Sequence, residues 1–153
     1  MQKILFVCLG NICRSPMAEA IFRQKIKQLQ LQSRFQVDSA GTSDWEKGNP
    51  PHPQTLQTLA RHQVPSSGLV SRPVTASDFH NFDWLIGMDH QNVADLMALA
   101  PTRSTAKVRL FMSVSATDSN QDVPDPWYTH KFEAAYQQIH KGVDDWLTYL
   151  QTL

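Results

Sequence analysis

The 153-residue sequence has little cysteine, no excess of either charge and no long apolar run. Two cysteines cannot build a disulfide framework or complete a zinc site, so in a reducing compartment they are packing groups or reactive thiols. The six histidines, at 52, 62, 80, 90, 130 and 140, lack metal-ligand spacing, and no metal or other cofactor is expected. Lys plus Arg and Asp plus Glu each number 14. No global field therefore attracts nucleic acid or an anionic membrane, and an anion must be held by local geometry. No apolar stretch approaches the roughly 20 residues needed to span a bilayer. The opening "MQKILFVCLG" has neither the length nor the cleavage site of a signal peptide. There is no Walker loop and no dinucleotide fingerprint. These absences lead us to expect a soluble, cytoplasmic protein forming one domain over residues 1–153.

What is present is an alternation of short apolar runs with helical spacing. "ILFV" at 4–7, "FQVDS" at 35–39, "WLIGM" at 84–88 and "VRLF" at 108–111 predict strands. Ala18, Ile21, Phe22, Ile26 and Leu29 mark a first helix, and Leu56, Leu59 and Ala60 a second. Val93, Leu96, Met97 and Ala98 mark a third behind Asp89, a suitable N-cap. Phe132, Ala135, Tyr136, Ile139, Val143, Trp146, Leu147 and Leu150 keep helical spacing to the C-terminus. Strands alternating with helices predict an α/β fold with a parallel sheet, helices on both faces, and ligands outside the carboxyl ends of the strands. Two long stretches, 42–53 and 112–128, are rich in turn residues, and loops of that length in a compact domain are more often functional than idle.

Both cysteines lie in "FVCLGNICRSPMAEA", residues 6–20, where a strand turns through glycine into a helix. We expect Cys8 at the strand end, Ser15 at the helix N-cap and Pro16 at the first helical position. The amides of Leu9, Gly10, Asn11, Ile12, Cys13, Arg14 and Ser15 then form a cup suited to phosphate. A helix N-terminus contributes only about 0.3–1 kcal/mol, or ~2 when partly buried, too little to ionise a thiol at neutral pH unaided. Arg14 supplies a permanent charge, and the Ser15 hydroxyl and the amides supply the remainder, so that Cys8 becomes a nucleophile. The planar fork of Arg14 can also hold two oxygens of a phosphoryl group during in-line attack. The spacing by itself is weak, and a buried cysteine beside a surface arginine is the bland alternative. The strand before it, Gly-Asn inside it, and Ser-Pro with a helix after it supply the setting this chemistry needs.

"VCLGNICRSPMAEA" resembles the phosphate-binding loop of the low-molecular-weight protein tyrosine phosphatases. "VDSAGTSDWEKGNPPHP" at 37–53, "FDWLIGMDHQN" at 82–92 and "VPDPWY" at 123–128 resemble that family's other landmarks in the same order, over nearly the whole chain. The resemblance implies a four-stranded parallel sheet with the phosphate-binding loop between the first strand and the first helix. It implies hydrolysis of a phosphotyrosine-containing protein or aryl phosphate through a cysteinyl-phosphate intermediate, with inorganic phosphate as product.

A phenolate leaving group calls for a carboxylic acid that later acts as base on water. Asp125, stiffened between Pro124 and Pro126, occupies the family's acid position, although Asp118 and Asp122 are acidic neighbours and a solvated turn residue is the plain reading. Trp45, Trp127 and Tyr128, from two loops, are expected to wall a slot over Cys8; many relatives have tyrosine where this chain has Trp127. Asn11, Ser39 and Asp89 correspond to polar residues that brace the loop in the family, Asp89 on the Arg14 side. Where the family often has a histidine bonded to the loop asparagine, "PSSGLVSRP" places Leu69 and keeps Arg72, so the Asn11 brace is expected to be made differently.

Cys13 is either a small packing group or, as the resemblance implies, a resolving thiol that closes a disulfide on an oxidised Cys8. Three rivals remain. An arsenate reductase would need a further cysteine pair, and none follows Cys13. A protein arginine phosphatase, in the resemblance, carries threonine where this chain has Ile12. A binding module without turnover would not need Asp125. Aromatic exposure at the cleft permits a monomer or a weak dimer.

Overall fold

The computed structural model describes residues 1–153. Four parallel strands, β1 (Gln2–Cys8), β2 (Phe35–Gly41), β3 (Trp84–Gly87) and β4 (Lys107–Leu110), form one sheet in the order β2-β1-β3-β4. β1 is central, pairing Gln2 with Phe35 through Cys8 with Gly41 on one side, and Ile4 with Trp84 through Val7 with Gly87 on the other.

Alternation along β1 divides the core. Ile4, Phe6 and Cys8 face the larger apolar cluster, where α1 (Arg14–Gln28) and α6 (Phe132–Gln151) pack; Leu5 and Val7 face the smaller one, with Phe79 of α3 (Asp78–Asn81) and Leu96 of α4 (His90–Leu99). The sheet is thus covered on both faces, as the alternating sequence pattern predicts. The expected stripe of α6 is buried along its whole length, and Trp146 donates its indole N–H to the Phe111 carbonyl at 2.7 Å. Full burial of a large apolar side chain contributes about 1.5–3 kcal/mol, so this helix is a principal source of stability.

Several boundaries differ from expectation. Helix α1 begins at Arg14 with Cys13 as its N-cap, so Ser15 and Pro16 lie inside the first turn. Pro16 costs nothing there because the first four helical N–H groups are unpaired in any case. Phe111 leaves the strand to open a 3₁₀ turn, Phe111–Val114, its ring packing against Gly142 of α6. The loop after it holds a short helix α5 (Pro126–Thr129), while α2 (Pro53–Arg61) follows the first long loop. Leu29, Met97, Ala98 and Ala60 are exposed although they fit helical spacing.

Gly41 has a steric reason. A Cβ there would lie 2.7 Å from the Leu9 carbonyl oxygen, so the absence of a side chain lets the end of β2 touch the loop that follows β1. No helix is long and apolar enough to cross a membrane.

Candidate active site

Between Cys8 and Arg14 the chain turns with Asn11 in the left-handed region, φ 56°. The carbonyls of this loop point outward to four separate partners. Cys8 accepts from Thr42 N–H at 2.9 Å, Leu9 from Ser43 N–H at 3.0 Å, Gly10 from the Ser71 hydroxyl at 3.0 Å and Ile12 from His52 N–H at 2.8 Å. With the carbonyls turned out, the amides turn in. Leu9, Gly10, Ile12 and Cys13 N–H have no acceptor in the protein, and Asn11 N–H lies 3.3 Å from Cys8 Sγ. Converging amides of this kind at a helix start form an anion cradle.

Cys8 Sγ also lies 3.0 Å from Ser15 Oγ. Ser15 is the second residue of α1, two positions past the N-cap, and its hydroxyl faces the sulfur instead of capping the helix. Asn11 Nδ2 donates to Ser15 Oγ at 2.8 Å and to Ser39 Oγ at 3.0 Å. Asn11 Oδ1 accepts from Arg72 N–H at 3.0 Å. A main-chain donor therefore completes the brace, while Leu69 is buried in the larger core.

Arg14 is 2% exposed. Its Nη1 donates to Asp89 Oδ2 at 2.7 Å and to the Val123 carbonyl at 2.9 Å, and Nη2 approaches Asp125 Oδ2 at 3.4 Å. Its Nε is buried without a partner. An unpaired guanidinium donor is costly to bury, and beside inward-turned amides it suits an oxyanion. Burial disfavours the charge, yet Cys8, Asp125 and Asp89 more than offset it and hold the Arg14 pKa above its ordinary value. Asp89 divides its carboxylate between Arg14 and the cap of α4, where Oδ1 accepts from Asn92 N–H at 2.7 Å.

Asp125 caps α5 through Oδ1, which accepts from Trp127 N–H at 3.0 Å, leaving Oδ2 toward Arg14. Its loop is latched to α4: Asp122 Oδ1 accepts from His90 N–H at 2.9 Å and lies 2.6 Å from His90 Nδ1. A cavity of about 130 Å³ opens over the loop, lined by Cys8, Ile12, Asp125 and the three expected aromatics Trp45, Trp127 and Tyr128. The aromatics are exposed at its rim, at 75%, 52% and 70%. His52 stacks on Phe132 at 4.9 Å and meets Trp127 edge-on at 5.9 Å, supporting one wall.

Cys13 packs with Ile12 and Phe132, and burial, followed by the charges at Cys8 and Asp125, pushes its thiol up to about 12. The other reading as a packing group therefore describes its resting surroundings. Sequence reasoning missed Glu19, which is buried, accepts the Ser39 hydroxyl at 2.6 Å and pairs with Arg23. A carboxylate inside the apolar run Ala18–Phe22, four residues from both Ser15 and Arg23, was the available signal.

A family model described as low molecular weight phosphotyrosine protein phosphatase matches residues 3–153. The chain is 40% identical over 151 residues to the low molecular weight protein-tyrosine-phosphatase YfkJ of Bacillus subtilis, covering 99% of this chain and 97% of that one. The crystal structure of YfkJ superposes with a TM-score of 0.95, covering 99% and 96% of the two chains. The low molecular weight protein-tyrosine-phosphatase PtpA of Staphylococcus aureus strain MRSA252 is also 40% identical, covering 98% and 94%. A structure of a drosophila arginine phosphatase is similar as well, at 34% identity, TM-score 0.90 and coverage of 97% and 98%. Matched from Lys3 to Leu153 and at 40% identity to phosphatases along nearly their full length, the chain belongs to the low molecular weight phosphotyrosine protein phosphatase family.

Proposed function

We propose that residues 1–153 act as one cytoplasmic phosphatase domain, a monomer or weak dimer, that hydrolyses phosphotyrosine-containing proteins and aryl phosphates through a cysteinyl-phosphate intermediate. The observation that carries this reading is the cavity that holds Cys8 and Asp125 within aromatic walls, above a loop whose unpaired amides and Arg14 Nε lack acceptors. Phosphoryl oxygens occupy the amide cup and the Arg14 fork. The Cys8 thiolate attacks phosphorus in line, the bond from phosphorus to the tyrosyl oxygen breaks, and Asp125 gives its proton to that oxygen. The Asp125 carboxylate then takes a proton from water as the water oxygen attacks phosphorus; the S–P bond breaks, the thiolate returns and inorganic phosphate leaves. Ser15 steadies the thiolate, Asn11 and Ser39 keep the loop in shape, and Asp89 orients Arg14. Trp45, Trp127 and Tyr128 flank the aryl ring, which a long, flat side chain reaches better than a short phosphoserine.

Cys13 serves as the redox partner. Oxidation of the Cys8 thiolate by peroxide yields a sulfenic acid, on which the Cys13 sulfur forms a disulfide with loss of water; an external thiol then reduces that disulfide. The bulk of Ile12, which lines the cavity, favours phosphotyrosine over phosphoarginine.

The test is hydrolysis of 4-nitrophenyl phosphate in EDTA by wild type and Cys8→Ser, with phosphotyrosine and phosphoarginine peptides in competition. Turnover below neutral pH, lost by several orders of magnitude in the variant, is expected. Phosphate binding without turnover would favour the binding module, and faster turnover of phosphoarginine would favour the arginine phosphatase.

A further inference from the structure

Asn11 spends its side-chain amide in a directional way. Oδ1 accepts from Arg72 N–H, and Nδ2 donates to Ser15 Oγ and to Ser39 Oγ. Both serine oxygens therefore receive a proton, and each must place its own hydroxyl proton elsewhere. Ser39 donates to Glu19 Oε1 at 2.6 Å. Ser15 has Cys8 Sγ at 3.0 Å, with the Ala40 carbonyl farther away at 3.4 Å. If the amide turned over, Oδ1 would draw protons from both serines, and Ser15 would have none to give to sulfur. Nδ2 would then face the Arg72 N–H, donor against donor.

The sense of the amide thus depends on one main-chain N–H, and that N–H is held by its own side chain. The Arg72 guanidinium forks onto Asp78, Nη1 to Oδ2 at 3.0 Å and Nη2 to Oδ1 at 3.1 Å. It also reaches Asp38 Oδ2 through Nη2 at 3.1 Å and Nε at 3.3 Å. Its carbonyl accepts from Gly41 N–H at 2.8 Å, beside the site loop. Asp78 is nearly buried, whereas the Asp38 carboxylate is 42% exposed.

We infer that Arg72, clamped by Asp38 and Asp78, is a positioning residue for the reaction: it keeps the Asn11 amide in the one sense that turns the Ser15 hydroxyl toward the Cys8 sulfur. The inference rests on the reading of Cys8 as the nucleophile. Loosening the clamp weakens a hydrogen bond to the thiolate, a charged acceptor, without removing any group that touches substrate.

The experiment is the pH dependence of Cys8 carboxymethylation by iodoacetate, with kcat and KM for 4-nitrophenyl phosphate, in wild type, Asp38→Asn, Asp78→Asn and Arg72→Lys. Circular dichroism identifies the folded variants. The aspartate variants separate positioning from simple charge. Removing a negative charge near the site would by itself move the alkylation midpoint down, whereas a misoriented Ser15 moves it up. We expect the midpoint of Asp78→Asn to rise by up to about one pH unit and kcat to fall by about tenfold, the worth of one hydrogen bond to a charged group. Asp38→Asn should shift the same way by less, and Arg72→Lys should lie between wild type and Asp78→Asn, with KM little changed in all three. A midpoint that stays or falls in the folded aspartate variants overturns the inference. The half-exposed Asp38 makes its variant decisive if Asp78→Asn does not fold. An ordinary thiol midpoint in wild type would instead overturn the nucleophile reading, and the inference with it.

Discussion

Asp89 and Arg14 meet at 2.7 Å, and the same carboxylate caps helix α4, so one side chain ties the buried cation to a helix start on the opposite face of the sheet. The two duties can be separated. Asparagine is as good an N-cap as aspartate. Asp89→Asn should therefore leave the melting temperature nearly unchanged while kcat/KM for an aryl phosphate falls at least about tenfold, the cost of a weakened charge-assisted bond. Asp89→Ala should lose the cap as well, with about 1 kcal/mol of stability. Equal activity in wild type and Asp89→Asn would show that the Val123 carbonyl and Asp125 suffice to orient Arg14.

Asp125→Asn removes a transferable proton but keeps an acceptor for the α5 cap. General acid catalysis is worth about 10²–10⁴-fold, and it matters most for poor leaving groups. Its kcat should drop far more with phenyl phosphate than with 4-nitrophenyl phosphate. The same drop for both would move the acid role to another residue, Asp122 being the nearest along the chain.

The two cysteines should react unequally. The Cys13 thiol, pushed up to about 12, stays protonated at pH 8. Iodoacetamide at pH 8 should label Cys8 and leave Cys13 unmodified in the folded protein, as read by peptide mass spectrometry. After peroxide, thiol should restore activity to wild type but not to Cys13→Ala. Equal irreversible loss in both would remove the disulfide route.

Two histidines should titrate in opposite directions. Hydrogen bonds to Asp122 and Asn120 raise the His90 pKa above 6.5, while burial and the neighbouring Lys25 lower that of His140. For His90 the folded state binds protons more tightly, so its contribution to stability is complete below pH 6.5 and is lost as pH rises through the raised value. For His140 the unfolded state binds protons more tightly, so stability falls as pH drops through 6.5. Proton NMR of the imidazole resonances should show both displacements, and Asp122→Asn should bring His90 back toward 6.5 without moving His140.

Much of this molecule is legible in its sequence. The strands, the stripe of α6 and the place of Cys8 at the end of β1 follow from periodicity and turn chemistry, which are local. The illegible parts are non-local or belong to the main chain. Any residue but proline offers the N–H that Arg72 gives to Asn11, so no side-chain pattern announces it. Glu19 is acceptable in the core only because Ser39 and Arg23 reach it, one from another element. Phe111 carries the β-propensity of a strand residue, but packing against Gly142 and the need to turn toward α6 override it. Ser15 lies two positions past the N-cap that capping preference predicts for it, because that preference assumes a hydroxyl serving its own helix, and here it faces the sulfur.

The outward carbonyls of the loop at residues 8–12 are held by Thr42, Ser43, His52 and Ser71, residues 34 to 61 positions farther along the chain. A loop shaped by such distant segments has no structure of its own to fall back on, so the cradle exists only when the whole domain is folded. Anion binding is then thermodynamically linked to global folding: the ligand binds the folded domain and not the unfolded chain. Free phosphate at one hundred times its dissociation constant should stabilise the entire chain by about 2.7 kcal/mol, and those amides of the far helix α6 that exchange only through global unfolding should slow by the corresponding factor of about one hundred.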